Sequence, residues 1–300
     1  MTPDARKLAL RIVRGAFGIA GIVFIVLTFF HTWNRSRAVV SPAVWRLVLA
    51  GVLMMLGPLF SGIGWSRLFA RRIDGALVRA FLVSQPAKYI PGGAWQVVGQ
   101  VGLSHQSGIG LDRVVAAFPI WIAIQVAASG IVGASLALFG SGAATPTRLL
   151  SLAGLLPIVF LHRAWLVRIS DAYMRWRKQA ARPDIVPAQA AIIGAWIWTL
   201  LTVLATGTAF AVLLRGLHGA GFGVAIPVFA LAWIVGFLAL PVPGGFGVRE
   251  GTMLALAGAS GGATIAASVL QRLLTIGTEL VLVLIFYRTR RAAQTEEAAR

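Results

Sequence analysis

The chain has 300 residues, 58% of them hydrophobic and only 12% charged. A mean hydropathy of +0.83 belongs to a protein that uses a bilayer as solvent, which excludes a soluble globular domain. Cysteine is absent, so disulfides, thiolate metal sites and cysteine nucleophiles are excluded together. The formal charge of +18 falls between apolar blocks, as the positive-inside rule produces, and favours anionic headgroups over nucleic acid.

A spanning helix needs about 20 apolar residues. In chain order the blocks of that length are Ile12–His31, Val44–Trp65, Val114–Phe139, Arg148–Val167, Gln189–Leu214 and Ala263–Tyr287. No cleavable signal peptide is expected, because the first block is long and no small-residue cleavage site follows it. Two stretches interrupt the pattern. Ala76–His105 has short apolar runs on either side of Pro86 and an Ile90-Pro91-Gly92-Gly93 break. Phe222–Ala259 has an apolar arm to Leu240, then Pro241-Val242-Pro243-Gly244-Gly245, then a short arm from Glu250.

Arginine placement decides the threading. If both interrupted stretches return to the side they came from, one face receives Arg11, Arg14, Arg67, Arg71, Arg72, the basic loop His162–Asp184 and Arg288, Arg290 and Arg291. The other face receives little beyond Arg35, Arg37, Arg148 and Arg215. Both termini are therefore expected in the cytoplasm. The expected fold is an all-α polytopic membrane protein with six spanning helices and two Pro-Gly-Gly re-entrant hairpins. Residues 12–139 and 148–287 form an inverted repeat within a single integral membrane domain, and 288–300 is a cytoplasmic tail. Gly/Pro-interrupted segments at matching positions of two halves point to a transport site near the midplane.

Proline lacks an amide donor and glycine accepts backbone angles that other residues resist, so Pro-Gly-Gly ends one half-helix and begins another. The freed amides carry partial positive charge and suit an anion; the competing reading is a plain structural kink. Glu250 and Glu279 are the only acids inside the embedded segments, and intramembrane charges cost about 2.5–3.5 kcal/mol each on insertion scales. Arg249 and Glu250 follow the second break, Lys88 precedes the first, and Arg272 and Glu279 lie seven residues apart on one helix face. Arg249 or Arg272 could instead serve only to neutralise Glu250 or Glu279. Lys88 has no acid near it in sequence and reads as a substrate cation. Tyr89, Gly92, Gly93, Trp95, Gln96, Gly244 and Gly245 complete the candidate substrate-binding set. Gln85, Gln100 and His105 are possible lining residues, with hydrogen bonding between helices as their alternative role. Gln125 and Gln271 carry a weaker form of that signal. Trp33, Trp45, Trp65 and Trp165 lie near helix ends and read as interfacial anchors.

Pro243-Gly244-Gly245-Phe246-Gly247-Val248-Arg249-Glu250-Gly251, together with Lys88-Tyr89-Ile90-Pro91-Gly92-Gly93-Ala94-Trp95-Gln96, resembles the transmembrane, flippase-like region of lysylphosphatidylglycerol synthases and their stand-alone relatives. The resemblance covers nearly the whole chain. It implies lipid flipping in a bacterial-type inner membrane. Lysine transfer belongs to a separate soluble domain of the synthases, and only a short tail follows Tyr287, so that activity is not carried over.

The expected function is transbilayer movement of an anionic lipid or polyprenyl-phosphate-linked glycan, with no catalysis, cofactor or metal. The alternatives are a membrane partner of a lipid-linked glycosyltransferase, docked through Arg163–Arg182, and an intramembrane lipid-modifying enzyme. The sequence offers the enzyme reading no His-Glu-x-x-His motif, and its histidines, His31, His105, His162 and His218, are scattered.

Overall fold

A computed structural model describes residues 43–89, 95–139, 245, 247–257 and 261–298 and most of 149–239. The described residues are helical and contain no strand. In chain order the helices are α1 (Val44–Arg67), α2 (Gly75–Ser84, prolonged by a 3-10 turn, Gln85–Tyr89), α3 (Trp95–Gln106) and α4 (Leu111–Ala134). They are followed by α5 (Arg163–Trp176), α6 (Gln189–Gly216), α7 (Phe222–Leu238), α8 (Val248–Ala257) and α9 (Gly261–Ala298). Four helices among the described residues are long and apolar enough to cross a membrane: α1, α4, α6 and the 262–286 part of α9. These correspond to four of the expected blocks, within a few residues.

The other two blocks fare differently. Ile12–His31 lies outside the described residues. Arg148–Val167 is not one helix: after a short helical turn, Leu156–Val159, the backbone turns at 160–162 and α5 begins at Arg163. Arg163 lies inside the block, and the cost of carrying a charge into lipid favours ending the apolar segment before it. Residues 288–298, expected as a tail, continue the last helix.

The most extensive contact joins α1 to α6, and it is made by small residues. A Cβ on Gly57 would sit 2.5 Å from the Thr206 methyl, while Thr202 donates its hydroxyl to the Gly57 carbonyl at 3.1 Å. Ser61 meets Thr202 at 3.2 Å. Lipid cannot drive helices together as water does, so close approach and interhelical hydrogen bonds take over. The opposite faces carry apolar side chains outward, as in Val48 and Val52 of α1 and Ile193, Ile197 and Leu201 of α6.

Two apolar cores divide the bundle along its length. One gathers Trp65 near the end of α1, Phe81 and Leu82 of α2, Val114 and Ala117 at the start of α4, Ile192 at the start of α6 and Leu282 late in α9. The other gathers Ala50 and Met54 early in α1, Leu136 beyond α4, Leu213 and Leu214 late in α6, Val228 and Phe229 of α7, Met253 of α8 and Ala267 early in α9. The α2–α3 hairpin therefore belongs to one end of the bundle, and the α7–α8 hairpin to the other.

The end of α3 lies against the end of α1. Trp65 Nε1, near the end of α1, donates to Ser104 Oγ near the end of α3 at 3.0 Å. Asp74 starts the hairpin by capping α2, accepting from the amides of Ala76 at 2.8 Å and Leu77 at 3.2 Å, the usual service of an aspartate at a helix start. Trp65 itself corrects an expectation. It is fully buried, edge-on to Phe69, Phe118 and Trp121, so it is a core residue and not an interfacial anchor. A position near a helix end meets the interface only if no neighbouring helix covers it, and here α3 and α4 do.

Candidate functional site

The last helix joins the two hairpins. Its Arg272 and Glu279 are seven residues apart, about 10 Å along the axis, and each reaches a different hairpin. Glu279 is 5% exposed and forms an ion pair with Lys88 Nζ, at the end of the first hairpin's incoming arm. Arg272 Nε donates to Glu250 Oε1 at 2.5 Å, at the start of the second hairpin's outgoing arm. Ser268, one turn before Arg272, adds a 3.3 Å hydrogen bond to the same carboxylate oxygen.

Glu250 also shapes the local backbone. Its Oε2 accepts from the Gly247 amide at 2.7 Å, which is the return half of a capping box at the first turn of α8. Gly245 and Gly247 have positive φ of 64° and 79°. A Cβ on Gly245 would lie 2.7 Å from the Gly236 carbonyl oxygen, so glycine is required where the second break closes on α7.

Arg249 is the cation left over. Its guanidinium lies 4.4 Å above the Phe229 ring. Its Nε and Nη2 are buried and without a hydrogen-bond partner among the described residues. Tyr89 sits beside Glu279, with Arg272 and Arg249 in electrostatic reach, and Lys88 Nζ is 5.2 Å from the Tyr89 ring centre. The cluster thus holds three cations, Lys88, Arg249 and Arg272, and two anions, Glu250 and Glu279, leaving one net positive charge. A buried guanidinium with unused donors is costly unless an anion meets it, and its planar fork matches a phosphate or carboxylate.

Six of the expected residues, Lys88, Tyr89, Arg249, Glu250, Arg272 and Glu279, are thus brought together, along with Gly245 at the second tip. Lys88, with no acid near it in sequence, has Glu279 across the fold. Glu250 pairs with Arg272 and not with its neighbour Arg249, because consecutive residues on a helix point in different directions. Trp95 is half-buried at the start of α3. Gln96 Nε2 donates to Gln85 Oε1 at 3.3 Å, tying the two arms of the hairpin, while Gln100 is buried with its Nε2 unpartnered among the described residues. His105 is exposed at the far end of α3, donating Nδ1 to the Ile109 carbonyl at 2.9 Å. Gly92, Gly93 and Gly244 lie outside the described residues.

Two contributors were missed. Phe229 gave no signal, being one apolar residue in an apolar helix. Ser268 could have been found, since it precedes Arg272 by one helical turn. Phe229 also borders a cavity of about 40 Å³ with Gln125, Ser129, Thr202, Thr206 and Trp233. Among the described residues no group of three His, Cys, Asp or Glu side chains could hold a metal ion. No protein-family model matches the chain, and no curated protein matches it.

Proposed function

We propose that this chain moves an anionic lipid, or a polyprenyl-phosphate-linked glycan, across a bacterial-type inner membrane, as the flippase-like region of lysylphosphatidylglycerol synthases that it resembles would. The observation that carries the reading is Arg249, a half-buried arginine whose Nε and Nη2 are buried without a partner among the described residues, in excess of two ion pairs and lying where both hairpins approach α9. A phosphate headgroup faces a large barrier in hydrocarbon because its charge loses hydration. One net positive charge suits one monoanionic phosphodiester, so the pair becomes neutral at the deepest point of the path while the acyl chains stay in lipid.

In this reading the α2–α3 and α7–α8 hairpins are re-entrant, entering from opposite faces, and the halves form an inverted repeat. The contact of Ser104 with Trp65 and the assignment of the hairpins to opposite cores favour it. So do the matched packing relations: α4 packs on α6 and α7 as α9 packs on α1 and α2. Rocking one half against the other would then open the Arg249 site to each leaflet in turn. The arginine-rich end, with Arg67, Arg71, Arg72, Arg163, Arg168, Arg175 and Arg182, is the cytoplasmic one.

The test is a reconstitution. Purified protein in liposomes, without nucleotide or soluble partner, should accelerate the crossing of a labelled phosphatidylglycerol over its rate in empty liposomes, and should move a zwitterionic phosphatidylcholine less. Equal rates in loaded and empty vesicles for every anionic lipid would remove the proposal. A covalent lipid product would transfer it to an enzyme.

A further inference from the structure

The helix α5 presents a second surface, separate from the charge cluster. None of its side chains is fully buried. At about 100° per residue, Trp165, Ile169, Tyr173 and Trp176 fall within a narrow arc of one face, and all four are large and exposed, Trp176 by 76%. Leu166, Val167 and Met174 lie on the adjoining face and pack on the core below. Arg168 and Arg175 border the exposed stripe on its other side, and the Arg168 guanidinium sits 5.2 Å from the Trp165 ring centre.

The position of α5 in the bundle is fixed. The Arg163 amide donates to Gln189 Oε1 at 2.6 Å, and Arg163 Nη2 donates to the Pro183 carbonyl at 3.1 Å. The start of α5 is therefore held at the start of α6, where the apolar outward face of that spanning helix begins at Ile193, about 6 Å further along. Contacts by both Leu166 and Met174 with the same core keep the helix across the bundle end, not projecting away from it. An aromatic stripe at the edge of the lipid-facing surface, flanked by arginines, has the chemistry of the headgroup layer.

We infer that α5 is an interfacial helix that binds the anionic headgroups of the leaflet at the arginine-rich end of the bundle. Trp165, Ile169, Tyr173 and Trp176 enter the boundary between headgroups and chains, and Arg168 and Arg175 take the phosphates beside them. Continuity with the lipid-facing side of α6 and complementarity of charge assign the face to lipid in preference to a soluble protein.

The chain has no cysteine, so a nitroxide can be placed singly on Ile169→Cys, on Tyr173→Cys and, as a solvated reference, on Asp184→Cys. The full-length protein is then set in nanodiscs containing phosphatidylglycerol. Labels at 169 and 173 should show a several-fold loss of collisions with a water-soluble nickel chelate relative to 184, and a gain of collisions with oxygen. In the Ile169→Cys background, Arg168→Gln with Arg175→Gln should restore part of the nickel accessibility. Discs of phosphatidylcholine alone should do the same. Nickel accessibility at both 169 and 173 equal to that at 184 in anionic discs would overturn the inference and leave the face to a protein partner. Protection indifferent to lipid charge and to both arginines would overturn the headgroup assignment.

Discussion

Lys88 and Glu279 stand 191 positions apart and meet as an ion pair in which the lysine side chain is 29% exposed and the carboxylate 5%. The asymmetry matters more than the pair itself. Removing the lysine strands a carboxylate that has little access to the exterior, whereas removing the carboxylate leaves a flexible cation with some route outward.

Lys88→Ala should therefore destabilise the protein by about 3 kcal/mol, the low end for a buried pair, and Glu279→Gln by less. The double variant should recover most of the loss, since no lone charge is left. Unfolding of the four proteins in detergent measures this as a thermodynamic cycle. Strictly additive single losses would mean that the two side chains do not depend on each other.

Arg249 has a different expected profile, because no carboxylate relies on it. Arg249→Ala forfeits the contact with Phe229, about 0.5–2 kcal/mol, and relieves the cost of burying the guanidinium, so stability should change little. Lipid movement in liposomes should fall to the empty-vesicle rate. Arg249→Lys keeps the charge but not the planar fork, and should retain only part of the activity. Full activity in Arg249→Ala would detach this residue from transport.

The sequence made the long apolar helices legible because length and hydropathy are local properties. Val44–Trp65, Gln189–Leu214 and Ala263–Tyr287 each match an observed helix to within a few residues. The embedded charges were legible for a similar reason: Glu250 and Glu279 stand out against an apolar background. Their partners were not, because pairing is a property of topology. Nothing near Lys88 announces Glu279, and sequence alone leaves both Arg249 and Arg272 open as the partner of Glu250. The Arg148–Val167 block is broken at 160–162, a turn that hydropathy averaged over a window hides, although Arg163 already marked a change in the pattern.

The second break offers a backbone test. Gly245 has φ of 64° and no room toward the Gly236 carbonyl, so Gly245→Ala combines a conformational penalty of about 1–3 kcal/mol with a backbone clash. Gly251, on α8 with open space around its Cβ position, is the matched control; alanine there should be neutral or stabilise by about 0.5–1 kcal/mol. Thermal stability of the two variants in detergent decides the matter. Comparable behaviour would mean that the turn at 245 tolerates a side chain after all.

Sidedness can be read with single cysteines, because α6 is 28 residues long, about 42 Å, and so exceeds the roughly 30 Å hydrocarbon core. As a spanning helix it would place its ends on opposite faces. Ala180→Cys, ahead of α6, should react with an impermeant maleimide only from the arginine-rich side, and His218→Cys, beyond α6, only from the other. Asp112 binds Arg182 directly, so Asp112→Cys should share the accessibility of position 180. Gly75→Cys adds the decisive case. It opens the first hairpin, while position 112 follows the end of that hairpin; the two should react from the same face if the hairpin returns, and from opposite faces if it crosses. Opposite labelling of 75 and 112 would overturn the re-entrant reading and with it the inverted repeat, while leaving the ion pairs of α9 untouched.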